Sequence, residues 1–376
     1  MMRRLAEFGP YMANRLILDT DGGVDDAQAL LLLIAAGRAP DAITTVYGNV
    51  SLEAATENVL AILAAAGAHI EVHAGAAQPL VETRIDARHV HGEDGLGGAP
   101  RPAETRDLAG EDAVQFLTAT LSAAAAAADP VDLLMVGPLT NLALALRRTP
   151  GIVGGIGRLT VMGGTLHGRG NVTPAAEFNI FCDPEAAAIV LGAGLDTTVV
   201  PWEPCVGHFL EGSDLDRMLE AAPDSDYKAF VRALIEHDRS RHVREGKGDR
   251  LFLIDPLAAA VVVEPAIVTK ALRASVGVSL APGLTRGMTV VDPSGRLGTP
   301  TVTLVEEVRL DRLAALVAAS LTWEPPVKFF LWLPCRRFSF PLARNELSCW
   351  PTGTFGEREW QARRNRWSVL SAMRRS

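Results

Sequence analysis

Arg15-Leu16-Ile17-Leu18-Asp19-Thr20-Asp21-Gly22-Gly23-Val24-Asp25-Asp26 runs from an apolar segment into a sharply acidic turn. Arg15–Leu18 reads as a short strand. Asp25–Gly37, rich in Leu and Ala, reads as a helix ended by Gly37 and followed by Pro40. The same alternation continues outward. Ala42–Tyr47 is β-branched and strand-like, Ser51–Ala66 is a helix with a Ser cap and Glu53 in its first turn, and Ile70–His73 is a short strand. Glu111–Ala128 reads as a helix, Asp132–Val136 and Leu159–Met162 as buried strands, Asp183–Leu191 as a helix with Pro184 at its first position, and Thr197–Val200 as a strand. This order predicts an α/β fold with a mostly parallel central sheet flanked by helices. Residues 271–308 change character, with strand-like runs at Ala274–Leu280, Met288–Val291 and Thr301–Val308, and predict a small β-rich region at one sheet edge. Asp311–Leu321 reads as a closing helix.

The 376 residues are 48% hydrophobic and 21% charged, a globular composition. No apolar run approaches the roughly twenty residues of a membrane span. Residues 1–9 carry charge and no apolar segment, so a secretory signal is not expected, and Met12 offers an alternative start. The four cysteines, at 182, 205, 335 and 349, have neither metal spacing nor a disulfide pattern, which predicts a reducing, cytoplasmic setting. The net charge of −8 argues against nucleic acid as the main partner. Residues 323–376 differ from the rest: they hold ten of the Lys and Arg, four Glu and five of the six Trp. The expected organisation is therefore one catalytic domain over 13–322, with no internal linker, and an atypical basic tail over 323–376, disordered or frame-shifted. Aromatic and basic residues together suit nucleic-acid contact, but the tail contains no nucleic-acid motif.

In parallel sheets, ligands sit beyond the carboxyl ends of the strands. There the first strand delivers four carboxylates within eight residues, Asp19 to Asp26. Gathered together they repel and raise one another's pKa, and a hard cation relieves this, Ca²⁺ or Mg²⁺ rather than zinc. The plainer reading is an acidic loop that caps the following helix. Counted from Asp19, an EF-hand loop fails, because Val24 and Leu30 stand where Gly and Glu are needed. A haloacid-dehalogenase-type phosphatase matches poorly, with Gly23 where Thr or Val is normal. Gly48-Asn49 follows the second strand and Gly137-Pro138-Leu139-Thr140-Asn141 follows the 132–136 strand. Gly163-Gly164 follows the 159–162 strand, then Asn171 to Asn179 and Asp183-Pro184, and Ile254-Asp255-Pro256-Leu257 comes late.

This ordered set resembles the inosine–uridine-preferring nucleoside hydrolases, calcium-dependent nucleoside N-ribohydrolases, over about residues 14–322. The resemblance implies a nucleoside-hydrolase-like, Rossmann-like open sheet and the hydrolysis of ribonucleosides to ribose and free base. It implies that Ca²⁺ is held by Asp21, Asp26, Asp255 and the main-chain carbonyl of Val136. Asp21 would also be the general base toward a calcium-bound water, and the transition state would be oxocarbenium-like. Asn179 matches a residue beside the sugar ring, Asn171 and Glu177 those at the 5′-hydroxyl, and Asp25 and Asn49 those at the 2′- and 3′-hydroxyls. Met162 matches an apolar floor, and Asp255 also borders the sugar. His89 to Gly97 matches a mobile loop over the base, with His91 the better candidate for a substrate contact. The implied partner is a small nucleoside, the implied assembly a homodimer or homotetramer.

Three departures stand out. Gly22 replaces the usual Pro and is expected to permit the same turn. Ile254 stands where such enzymes carry a His that protonates the leaving base, or a Trp that stacks on it, and Ile does neither. His237 and His242, on the polar helix-like run Tyr227–Arg244, offer an acid only if they are not simply solvated surface residues, which is how they read. The third departure is the tail. Two alternatives follow: a non-catalytic nucleoside- or ribose-binding relative, hinted at by Ile254, and a metal-dependent phosphohydrolase working through Asp19 and Asp21.

Overall fold

The computed structural model describes residues 14–104 and 106–326. Met12 and the tail beyond 326, including Cys335 and Cys349, lie outside the described residues. The chain opens with β1 (Leu16–Thr20), α1 (Val24–Ala35), β2 (Ala42–Thr45), α2 (Leu52–Ala65) and β3 (Glu71–Ala74). Next come α3 (Arg88–His91), α4 (Ala113–Ala127), β4 (Val131–Met135), α5 (Thr140–Arg148) and β5 (Ile156–Met162). They are followed by α6 (Phe178–Cys182), α7 (Pro184–Leu191), β6 (Asp196–Val200), α8 (Trp202–Gly207), β7 (Phe209–Glu211) and α9 (Gly212–Ala221). The last elements are α10 (Asp226–Arg244), β8 (Arg250–Phe252), α11 (Asp255–Val263), β9 (Val268–Val278), β10 (Thr289–Asp292), β11 (Thr301–Val308) and α12 (Leu310–Leu321).

Nine strands form one sheet in the order β10-β9-β11-β6-β5-β4-β1-β2-β3. From β3 to β11 every neighbour pair is parallel, whereas β9 runs antiparallel to both β11 and β10. The β-rich 271–308 region therefore forms one sheet edge. A separate antiparallel pair joins β7 to β8. The chain leaves β1 toward β2 and β3, then returns to place β4 on the other side of β1. That reversal opens a crevice at the carboxyl ends of β1 and β4.

Alternation along the central strands explains how the sheet is covered on both faces. Leu16 and Leu18 of β1 and Leu134 of β4 join a core with α1, α10, α11 and α12, while Ile17, Leu133 and Met135 face α4, α5 and α7. Trp323 packs against the first of these cores, its Nε1 donating to the Ala66 carbonyl at 3.4 Å. Among the described residues, no helix is long and apolar enough to cross a membrane.

The Gly-Pro-Leu-Thr-Asn stretch turns β4 into α5 and ties the strand ends together. Asn141 Nδ2 donates to Asp19 Oδ2 at 2.8 Å and to the Thr45 carbonyl at 3.0 Å, and its Oδ1 accepts from Ala76 N at 2.8 Å. Thr140 Oγ1 donates to Asp183 Oδ2 at 2.7 Å. Asp183 also accepts from Leu80 N at 3.0 Å and caps α7 through Ala186 N at 3.0 Å. Asp183→Ala removes all three bonds from a fully buried site, and the expected cost is about 1–3 kcal/mol of unfolding free energy. Chemical denaturation measures it, and an unchanged midpoint would contradict this role.

Candidate active site

The acidic turn after β1 is ordered by its own carboxylates. Asp26, at the third position of α1, accepts from Gly23 N at 2.8 Å, from Asp21 N at 3.2 Å and from the Thr20 hydroxyl. Asn49, just beyond β2, reaches across with Nδ2 to Asp21 Oδ1 at 2.9 Å and Asp26 Oδ2 at 3.1 Å. Its main-chain N donates to Asp21 Oδ2 at 2.8 Å. Gly48 makes this closeness feasible, since a Cβ there would stand 2.0 Å from Asp21 Oδ2. Gly22 permits the turn, as expected, but in a conformation closed to proline. Its φ of +69° lies in the left-handed region, whereas proline is held near −65°, and a Cβ would meet the Ala55 backbone at 2.7 Å.

α1 packs along α11, and the N-terminus of each helix brings acids to the same point. Carboxylate oxygens of Asp25, Asp26 and Asp255 lie within 4.8 Å of one another. Helix N-termini favour negative charge, but three clustered carboxylates, two of them buried, exceed what that effect offsets. Burial, reinforced by the charge of Asp26, pushes the Asp21 and Asp25 carboxyls well above the usual range. Burial and then Asp25 do the same to Asp255. An all-oxygen donor set with this excess of charge fits a hard divalent cation. Asp21 stands outside that trio and is wholly buried, with both oxygens taken by Asn49.

A cavity of about 650 Å³ opens over the cluster. Asp25, Asn49, His91, Val136, Met162, Asn171, Glu177, Asn179 and Asp255 line it, whereas Asp21 and Asp26 lie beneath its surface. Asn179 Nδ2 donates to the Val136 carbonyl at 2.8 Å and to the Met162 carbonyl at 3.2 Å, which leaves Oδ1 as its open acceptor. The Val136 oxygen has a second lone pair for another partner. Glu177 caps α6, accepting from Asn179 N at 2.9 Å, Ile180 N at 3.2 Å and, across the loop, Gly164 N at 2.8 Å. Burial nevertheless raises its carboxyl to about 7. Asn171 Oδ1 accepts from Phe178 N at 2.9 Å.

His91 lies 3.6 Å from Asp25 through Nδ1, but the same atom accepts from Val24 N at 3.2 Å. Burial lowers its pKa to about 4, so the ring is neutral and carries its proton on Nε2. The 89–97 segment begins in α3 and is held by Asp94, whose Oδ1 accepts from Leu96 N and Gly98 N at 3.1 Å. Asn58 Nδ2 also donates to the Asp94 carbonyl at 2.9 Å. These bonds brace the 89–97 loop in the conformation seen here.

The two helix histidines are not solvated. His242 is 3% exposed and lines the cavity, and the half-buried His237 bonds through Nε2 to the Val90 carbonyl at 2.8 Å. Asp238 and Arg241 also line the cavity and were missed by the sequence reading. Their only signal was spacing, with 238, 241, 242 and 245 on one side of a helix. Asp19 is wholly buried, points toward α5 and does not line the cavity. Its Oδ2 accepts from Asn141 Nδ2 and the Thr44 hydroxyl, so it ties β1 to α5 and β2, a place in the fold that counts against the phosphohydrolase alternative.

Comparison with known proteins gives a consistent picture. The family model "Inosine-uridine preferring nucleoside hydrolase" matches residues 16–315. The non-specific ribonucleoside hydrolase RihC of Klebsiella pneumoniae is 39% identical over 297 residues, spanning 76% of this chain and 90% of that protein. A plant nucleoside hydrolase superposes with a TM-score of 0.75 at 31% identity, covering 82% of this chain and 99% of its own. A purine-preferring ribonucleoside hydrolase from Gardnerella vaginalis superposes at 0.73 with 27% identity, covering 82% and 98%. With the matched region spanning the sheet, the acidic turn and the late Asp-Pro, the chain belongs to the inosine-uridine preferring nucleoside hydrolase family.

Proposed function

We propose that the protein hydrolyses the N-glycosidic bond of ribonucleosides to ribose and free base. The observation that carries this is the clustering of Asp25, Asp26 and Asp255 beneath a nucleoside-sized cavity, in a chain whose relatives are ribonucleoside hydrolases. We assign the activity to residues 13–322. A reducing cytoplasm suits Cys182 and Cys205, which are buried and unpaired.

Asp26, Asp255, Asp21 and the Val136 carbonyl are the proposed holders of Ca²⁺, with Asp25 beside them. When bound, such a cation offsets the clustered charge and acidifies water. Asp21 acts as general base, and the two bonds from Asn49 fix which way its carboxylate faces. Asp25 and the Asn49 amide oxygen accept from the sugar hydroxyls. Glu177, immobilised by backbone N–H groups, and Asn171 hold the 5′-hydroxyl. As the bond to the base breaks, positive charge grows on the sugar. The open Oδ1 of Asn179 and the nearby carboxylates stabilise that charge without reorganising. Met162 packs beneath the ring, and Nε2–H of His91 faces the base side.

The first test is release of ribose from inosine, uridine, cytidine, adenosine and guanosine. Release abolished by a chelator and restored by calcium is expected, and no release from any nucleoside would refute the reading. Asp255→Ala should lose both bound calcium and turnover, so unchanged calcium stoichiometry removes it from the ligand set. Asp21→Asn should stay folded and lose about 10²–10⁴-fold in kcat; near-full activity rejects it as the base.

The metal-free protein has a pH signature. Asp19 and Glu177 rise from 3.8 and 4.5 to about 7 in the fold, chiefly through burial. Their protonated forms favour the folded state, so this stabilisation is complete below about pH 4 and lost as pH rises through about 7. Metal-free protein should therefore melt at a lower temperature at about pH 8 than at about pH 5, and calcium should narrow the gap. A metal-free Tm that climbs over this range contradicts the electrostatic account.

A further inference from the structure

Carboxylates and amides occupy one part of the cavity, and α10 brings a cation to another. Arg241 lines the cavity, and its side chain is 15% exposed. Its guanidinium is held from several directions. Nη2 donates to Asp238 Oδ1 at 3.1 Å and to His242 Nε2 at 2.9 Å, and Nη1 donates to Glu245 Oε1 at 3.2 Å. His242 is fixed in turn: its Nδ1 bonds the Arg250 carbonyl at 2.8 Å, and its ring meets Phe252 edge-on with centroids 4.6 Å apart. Since Nε2 receives a hydrogen from Arg241, the proton of neutral His242 lies on Nδ1 and is spent on that carbonyl. His242 thus holds Arg241 in place and has no donor left for a ligand. The Arg241 Nε–H is buried with no partner. Ile254, beside the metal-site aspartate, offers no donor. Lys247 also lines the cavity, but its side chain is 49% exposed and its charge is screened by solvent.

We propose that Arg241 is the residue that receives the leaving base, its guanidinium donating to the base's acceptor edge, as the glycosidic bond breaks, from the N–H groups that Asp238, His242 and Glu245 leave free. The inference rests on the nucleoside-hydrolase reading given above. In the step, the C1′–N bond breaks and its electron pair passes to the base, spread over ring nitrogen and carbonyl oxygen. A water oxygen forms the new C1′–O bond, and its proton passes to Asp21 and, through solvent, to the released base. Arg241 transfers no proton; it neutralises charge that exists on the base only as the bond opens, which is where a preorganised donor acts most strongly. A guanidinium carries donors alone. It therefore favours bases that present oxygen and nitrogen acceptors, as hypoxanthine and uracil do, over bases that present an amino group at that edge.

The test compares leaving groups. Arg241→Met and Arg241→Lys are assayed on inosine, adenosine and p-nitrophenyl β-D-ribofuranoside, whose phenolate departs without help. Arg241→Met should lose about 10²–10³-fold in kcat on inosine, while the p-nitrophenyl riboside falls less than about tenfold. The preference for inosine over adenosine should shrink, and millimolar guanidinium should restore part of the inosine rate. Retained activity on the p-nitrophenyl riboside also establishes that the variant is folded. Should Met at 241 prevent folding by leaving Asp238 unpaired, Arg241→Lys keeps the charge but loses the planar fork, and the same split between substrates is expected. Equal losses on all three substrates, or no loss on inosine, overturn the role of Arg241 and leave the hydrolase reading standing. A wild-type protein that releases ribose from the p-nitrophenyl riboside but from no nucleoside overturns both.

Discussion

Three carboxylates held within 4.8 Å of one another at the edge of an apolar core are the constraint around which this molecule is organised. Separately, each belongs to a helix start, where a carboxylate is at home. Together they form a charge density that the protein's own donors only partly answer. Asn49, the Thr20 hydroxyl and the backbone of the β1–α1 turn satisfy Asp21 and Asp26. Among the described residues, no comparable set of donors surrounds Asp25 and Asp255. The remaining charge is what a bound cation would answer, and the packing of α1 against α11 keeps the acids from separating to relieve it.

Around this point the sheet acts as a jig. Each piece of the cavity floor arrives at the carboxyl end of a different parallel strand: the acidic turn after β1, Asn49 after β2, Val136 after β4, Met162 at the end of β5. Asn141 binds the ends of β1 and β2 and the segment beyond β3 with one side chain. Glu177 likewise spans from the β5 exit to α6. These amide and carboxylate clasps make the floor a rigid array, the condition under which fixed dipoles lower a barrier instead of following the charge.

Much of this was legible in the sequence because the signals were local. β1, α1, α2, α4 and β11 carry apolar runs, caps or β-branched stretches that declare themselves within a dozen residues. The acids of the first turn are consecutive in the chain, so their convergence needed no tertiary knowledge. α11 was not legible: Asp255–Val263 is apolar on every side because it is buried on every side, and its pattern has no period. α5 is short and its first residues read as a loop motif, and α8 contains a proline. The burial of His242 and the placing of Arg241 were hidden for a different reason. α10 is polar overall, and which of its polar residues face the cavity depends on β8 and α3, contacts that no local pattern encodes. The conformation of Gly22 was equally invisible, since only the approach of Ala55 shows that the turn excludes other residues.

The cavity is inherited from two separate stretches of chain. Its floor comes mainly from residues before 180, and its α10 wall from residues after 225. Such a division lets mutation explore one stretch while the other stays under constraint. Changes at positions 237–247 alter what stands over the floor without touching Asn49, Val136, Met162 or Asn179. A lineage built on this plan can therefore diversify what its cavity admits by small steps along a single helix, each step leaving the floor intact.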